Sequence, residues 1–315
     1  MVVVTYNSAN DIRGCLRSAL AAGAEVLVVD NGSRDGTLSI LESEFPDTQV
    51  LENPLNGYAR AANLGFRNSQ QDLVVLSNAD VIYPADSLEH MLDYMAARPE
   101  IGVVGPQQVF ENGRWQRSWG TEPGIVEALL ELSGFTTLHN ALRRAIWPLR
   151  LDRRPADVGF VDGAVMVIRR AAWESVNGLD QSFPFYAEES DFCIRVRKRG
   201  WRVVAYPDAI VMHKRGGSST LTGMTVEHHV AAMVRASQAL LHKHHHARYC
   251  ALYFRLKIWF HRVKVVSCQI ARAIGTPSVA QSASHALRIH QSYLRHLKPL
   301  VARPCDQPSD VARAK

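Results

Sequence analysis

Three apolar runs, VVVTYN (residues 2–7), VLVVDNGS (26–33) and LVVLSNAD (73–80), each break off on polar residues. No other feature constrains the fold as tightly. A short apolar run without alternation is a strand buried on both faces, as in a parallel sheet covered by helices on each side. The segments between fit that reading: DIRGCLRSALAAG (11–23) has helical spacing and closes on glycine, residues 36–45 form a second helix capped by SRDGT, and NGYARAANLGFRNS (56–69) a third. Strand, helix and strand within about thirty residues make a βαβ unit with a right-handed crossover. TQVLENP adds a short strand, PADSLEHMLDYMAARPE a well-capped helix entered through proline, and IGVVGPQQVF another strand. The expected fold is α/β, a Rossmann-like, mostly parallel open sheet flanked by helices.

Such a sheet binds ligands outside the carboxyl ends of its strands, and Thr5, Asp30 and Asp80 all fall at that edge. Asn7 and Asp30 taken singly read as helix caps or Asx turns. Taken together, beside the glycines of NGSRDG, they read as a nucleotide crevice. No GxGxxG follows the first strand and no GxxxxGK[ST] occurs, which leaves a dinucleotide oxidoreductase or P-loop NTPase without support. In FYAEESDFCIR (185–195), Glu188, Glu189 and Asp191 precede an apolar, arginine-bearing stretch. Acids there suit the positive end of a helix, with Asp191 able to pair with Arg195 one turn later; chemistry at the same carboxylates stays open.

Composition places the chain among globular proteins of about two domains: 315 residues, 47% hydrophobic and 21% charged. The five cysteines are scattered with no CxxC, against a disulfide framework or zinc site and in keeping with a reducing cytosol. No cleaved leader is expected, since the first strand begins at residue 2. The charge is split. From Arg235 onward there are 14 Lys and Arg against two Asp, a net +12 in a chain of net +6, so the first 234 residues carry −6. A basic tail wants an anionic neighbour. With no helix-turn-helix, zinc finger or RNP-like strand in view, nucleic acid is not the expected partner.

Five blocks carry a resemblance: VVVTYNSANDIRGCLRSAL, VLVVDNGSRDGT, ENPLNGYARAANLGF, LVVLSNADV, and FVDGAVMVIRRAAWESVNGLDQSFPFYAEESDFCIRVRKRGWRVVAYPDAIVMHKRGGSS. In order and spacing they resemble glycosyltransferase family 2, and within it the bacterial rhamnosyltransferases. The resemblance implies a GT-A fold over residues 1–222. The chain after it, 223–315, reads from its own composition as a basic helical extension, partly disordered at its end and, rich in Ser, Ala and Pro beyond 275, loosely ordered there in part. The resemblance also implies inverting transfer of a sugar, L-rhamnose from dTDP-L-rhamnose, to a hydroxyl of a lipid-linked or cell-envelope glycan.

The same resemblance implies the roles. SNAD stands at the family's DxD-like element with Asn78 in place of the first acid, so Asp80 and the strand-end His213 would hold a divalent cation, Mn2+ or Mg2+, with the diphosphate supplying further ligands. YAEESDFC places Glu189 as catalytic base, with Glu188 the second choice and Asp191 third, the last more suited to supporting the helix or acceptor pocket. Thr5, Tyr6, Asn7, Asp30, Asn31, Arg60, Asn63 and Asn78 line the nucleotide; Asp162, Gly163 and Ala164 lie under the donor sugar; Lys214 and Arg215, in HKRGGSSTLTG, belong to a flap over the diphosphate. The tail, with ALYFRLKIWFHRVKVV (251–266), carries too many cations for a membrane span and no single clean amphipathic face. It is expected on an anionic membrane surface, the protein being cytoplasmic and peripheral to the inner face of the cell membrane. Packing on the catalytic domain or a second subunit is the alternative, and the oligomeric state is left open. Asn78 and Glu189 also fit a catalytically impaired nucleotide-sugar-binding partner in a polysaccharide assembly.

Overall fold

The computed structural model describes residues 1–53, 57–146, 154–183, 186–214 and 225–302. Strands β1 (Val2–Thr5), β2 (Leu27–Asp30), β3 (Gln49–Glu52) and β4 (Leu73–Asn78) are parallel to one another, and β6 (Ile101–Val109) is parallel to β11 (Arg202–His213). With β5 (Val81–Ile82), β8 (Ala156–Asp157) and β10 (Val165–Arg169) they form one open sheet in the order β3-β2-β1-β4-β10-β6-β11-β5, β8 pairing on β11. A separate two-stranded ribbon joins β7 (Trp119–Gly120) to β9 (Phe160–Val161).

Side chains alternate across the sheet, and both faces are covered. Val3, Val28 and Val75 pack with α1 (Ile12–Ala21), α2 (Thr37–Glu44) and α4 (Ser87–Ala96) through Leu16, Leu41 and Met91. Val2, Val4 and Val29 pack with α3 (Tyr58–Arg67), α7 (Arg170–Glu174) and α8 (Glu188–Lys198) through Phe66, Trp173 and Phe192. Burial on both sides is why these strands read as unbroken apolar runs. Gly65 lets α3 lie directly on β1, since a side chain there would collide with Val2.

Register sets the functional edge. Thr5 lies opposite Asp30, and Val4 opposite Asn78, so three carboxyl ends finish level. The antiparallel β10 sits between β4 and β6 and starts where β4 ends; the Asn78 N–H donates to the Ala164 carbonyl at 2.9 Å. That reversal brings residues 162–164 to the same edge.

Helix entry agrees with expectation at α2, where Asp35 of SRDGT does the capping, and differs at α4. Neither α2 nor α4 has a side-chain cap at its N-cap residue: Gly36 holds that place in α2, and Asp86, at φ 69°, makes no capping bond in α4. The Asp35 carboxylate instead ties the start of α2 to the β1 loop, accepting from the N–H groups of Thr37 and Ala9.

The chain divides into two units, Met1–Glu122 with Asn140–Gly223, which holds the sheet, and Pro123–His139 with Met224–Lys315, which is helical. Unlike a single cut after residue 222, this division assigns α5 (Ile125–Leu132) to the helical unit together with α9 (Val226–His244), α10 (Ala247–Ile274) and α11 (Pro277–Ala302). The physical reason is a shared core of Ala128, Val230, Leu241, Phe254 and Leu297, reinforced where Lys257 pairs with Glu131 at 2.5 Å. Helix α6 (Phe135–Ile146) spans the division. Residues 277–302 are helical; Ala283, Leu287 and Leu297 turn inward and Pro277 opens the helix, where its missing N–H costs nothing. The expectation for residues 303–315 lies outside the described residues.

Candidate active site

The site starts at the ends of β1 and β2. Thr5 and Asp30 are almost wholly buried, and Thr5 Oγ1 and Asp30 Oδ1 have no hydrogen-bond partner among the described residues. Asp30 Oδ2 accepts from the N–H groups of Gly32 and Ser33, which fixes the carboxylate and leaves its other oxygen as an acceptor. Buried polar atoms without partners are costly in a native fold and call for an explanation. Asn7, at φ 49°, folds the loop over this end: its N–H donates to Ser33 Oγ and its Oδ1 accepts from the Arg34 N–H. Tyr6 is half-buried, and Asn31 accepts from Asn53 Nδ2 at 2.7 Å.

Two nucleotide-side expectations separate here. Arg60 lies half-buried in the first turn of α3. Asn63 lies elsewhere: its amide is buried and bonded to Leu179, donating to that carbonyl at 2.8 Å and accepting from that N–H at 3.0 Å. It clamps α3 to the chain after α7.

Asp80 follows the end of β4, and His213 closes β11, opposite Val81. Asp80 Oδ1 and His213 Nε2 lie 3.4 Å apart, with both side chains largely buried. Gln108 Oε1 sits 2.8 Å from His213 Nδ1 and can only accept, so Nδ1 carries a proton; in the tautomer protonated there alone, Nε2 turns a lone pair toward the carboxylate. Two facing electron-pair donors, with the imidazole fixed by an outer hydrogen bond, suit a cation between them. Oxygen and nitrogen ligands fit Mn2+ or Mg2+, and no group of three or more His, Cys, Asp or Glu suited to a metal occurs among the described residues, so a bound cation would need ligands from its substrate. Lys214 Nζ pairs with Asp11 at 2.7 Å, which pushes the lysine pKa up and holds its charge beside α1. Arg215 lies outside the described residues.

The carboxylates of YAEES enter from the other side. Tyr186 and Ala187 both have positive φ, 70° and 69°, immediately before α8. Two consecutive non-glycine residues in that region are strained, a condition that clusters at functional sites. Glu188 is buried with Oε2 lacking a partner among the described residues, while Glu189 is partly buried and accepts from Ser190 Oγ. Burial raises both pKa values; Glu189 beside it raises Glu188 further, and Asp162 raises Glu189. Asp191 differs. It is fully buried and held by Arg195 Nε at 2.7 Å, while the same guanidinium donates to the carbonyls of Val176 and Gly178. These bonds suit the helix-supporting role for Asp191.

Residues 162–164 join the two ends of the site. Asp162 Oδ1 accepts from the Ala164 N–H, and a Cβ on Gly163 would stand 3.4 Å from Glu189 Cβ. The Tyr58 hydroxyl donates to the Gly163 carbonyl at 2.8 Å, and its own pKa is raised by burial and by Glu188, Glu189 and Asp162. Sequence reading missed Tyr58 and Gln108. Two glutamines within an otherwise buried apolar strand were the available signal for Gln108; Tyr58, adjoining Gly57, carried none.

A conserved-domain match now meets this geometry: the Glycosyl transferase family 2 model matches residues 1–176. The chain belongs to glycosyltransferase family 2. A member from Mycobacterium tuberculosis, N-acetylglucosaminyl-diphospho-decaprenol L-rhamnosyltransferase, is 28% identical over 261 residues, 78% of this chain and 84% of that protein. Among solved structures, the mannosyltransferase PcManGT from Pyrobaculum calidifontis, in complex with GDP-Man and Mn2+, superposes with a TM-score of 0.56 at 21% identity, covering 96% of this chain and 84% of that one. TarS 1-349 of S. aureus with UDP-GlcNAc gives 0.51 at 14% identity, covering 94% and 89%. The fold of this family 2 glycosyltransferase is GT-A, with helices following the sheet domain, and the chain stands close to the rhamnosyltransferases.

Proposed function

We propose that this glycosyltransferase moves an L-rhamnosyl group from dTDP-L-rhamnose to a hydroxyl of a lipid-linked, GlcNAc-bearing glycan of the cell envelope, with inversion at the anomeric carbon. One observation carries the reading: the DGA turn at 162–164 is bonded to Asn78 on one side and on the other lies so near Glu189 that a Cβ on Gly163 would stand 3.4 Å from it, placing the Asp80–His213 pair and a carboxylate of raised pKa at the two ends of one turn. The lipid-linked GlcNAc acceptor and the sugar are those for which the mycobacterial relative is named; the nucleotide is inferred from the rhamnosyltransferase resemblance.

In this reading Thr5 and Asp30 receive the base, with Tyr6, Asn7 and Asn31 shaping its loop. Asp80 and His213 would hold Mn2+ or Mg2+, which neutralises charge on a leaving diphosphate when bound. Gly163 gives the sugar room, and Asp162 and Ala164 set the backbone beneath it. Glu189 takes the proton of the attacking hydroxyl, and its raised pKa suits a base working near neutrality. Glu188, buried beside it, keeps its proton to higher pH and limits the charge at one site. A single displacement needs no covalent sugar intermediate and no close acid pair.

Calorimetric titration with dTDP, UDP and GDP, with and without Mn2+, tests the donor end. Binding of dTDP that depends on the metal and is lost in Asp80→Ala is the expected outcome; failure of all three nucleotides refutes the site. Glu189→Gln should retain nucleotide binding and lose turnover by ~10²–10⁴-fold. Wild-type turnover in that variant would remove Glu189 from the base role.

A further inference from the structure

Helix α10 is apolar on two opposite faces. Its inner face, Cys250, Tyr253, Phe254, Ile258 and His261, packs into the helical unit. On the outer face Leu252, Trp259, Val263, Val266, Ile270 and Ile274 lie within about 40° of one line along the helix. These six residues are 44% to 82% exposed. The stripe runs ~33 Å at 1.5 Å per residue. A helix apolar all round ordinarily lies in a protein core or among lipids. Helix α11 of the same unit shows the ordinary alternative: its exposed side carries Gln281, Ser282, His285, Arg288, Gln291 and Arg295.

Charge selects the occupant. Arg248, Arg255 and Arg262 recur every seven residues along one border of the stripe, all exposed and without an ion-pair partner among the described residues. Residues 247–302 contain no Asp or Glu. A second copy packed stripe to stripe would bring arginine rows together with no acid from this helix to answer them. An anionic lipid surface answers both parts, headgroups for the arginines and acyl chains for the apolar line, with Trp259 at the boundary where indoles concentrate. No helix among the described residues is long and apolar enough to cross a membrane, so contact is along the helix, not through the bilayer.

We infer that the outer face of α10 docks in the plane of an anionic lipid surface, Leu252 to Ile274 entering the acyl boundary and Arg248, Arg255 and Arg262 gripping headgroups. This reading is independent of the sugar chemistry at the sheet edge.

The test is co-sedimentation of the full chain with phosphatidylcholine vesicles, with and without phosphatidylglycerol, alongside circular dichroism to verify folding. Wild type should pellet with the anionic vesicles. Val263→Ser/Val266→Ser/Ile270→Ser, and separately Arg255→Gln/Arg262→Gln, should each weaken that binding about tenfold or more. Arg288→Gln/Lys298→Gln on α11 removes the same charge and should weaken it far less. Wild type that stays in solution, folded stripe variants that bind like wild type, or a control that loses as much as the arginine pair would overturn the inference. So would a wild-type dimer that the stripe substitutions dissociate without any change in vesicle binding.

Discussion

Glu188 and Glu189 are neighbours in sequence with different surroundings, and the difference sorts their roles. Glu189 has Ser190 as a donor and faces the small Gly163, whose added Cβ would stand 3.4 Å from it, whereas Glu188 has an oxygen with no partner among the described residues. Burial raises Glu188 above its ordinary 4.5, so the folded protein holds this proton more tightly than the unfolded chain does. Its contribution to stability is fully present below pH 4.5 and is lost as pH rises through the raised range. Glu188→Gln replaces a group that must ionise with one that cannot. The variant should therefore gain about 1–3 kcal/mol above that range, with no gain below it. Thermal unfolding as a function of pH measures this; a gain that persists unchanged into acid would mean that something other than the buried charge is responsible. At this scale much of the site was legible, because Asp30, Asp80 and Glu189 stand beside strand ends or a helix start that local pattern locates. The bonds of Asn63 were not legible, because its partner, Leu179, lies 116 residues away.

Among elements, β10 and α8 shape the crevice. The early strands and helices were legible from apolar runs and glycine stops, whereas the insertion of β10 between β4 and β6 was not. FVDGAVMVIR looks like any buried run, and its antiparallel direction depends on partners far along the chain. That direction is what puts Gly163 against Glu189. Helix α8 is aimed by Arg195, which bonds Asp191 and two carbonyls of the turn at 176–178. Asp191→Ala leaves a largely buried guanidinium without its counter-charge and should cost about 3–5 kcal/mol in denaturant unfolding. Nucleotide affinity should hold in whatever fraction stays folded. A stable Asp191→Ala protein with abolished turnover would instead return Asp191 to the list of bases.

Over the whole molecule, the net +12 of the tail was plain in the sequence, but the stripe it borders was hidden. An apolar inner face and an apolar outer face on one helix cancel the one-sided signal by which amphipathic helices are recognised. Only the packing of Tyr253, Phe254 and Ile258 inward shows that Trp259, Val263 and Val266 are left over. The two parts of the docking face obey different physics, and salt separates them. Screening shortens from ~8 Å at physiological ionic strength to ~3 Å at 1 M, which weakens arginine–headgroup attraction while leaving apolar burial in place. Vesicle binding by Arg255→Gln/Arg262→Gln should therefore converge on that of wild type as salt rises. The Val263→Ser/Val266→Ser/Ile270→Ser defect should persist at every salt concentration. Convergence of both variants with wild type would reduce the stripe to a bystander, and persistence of both defects would mean that the arginines act by packing and not by charge.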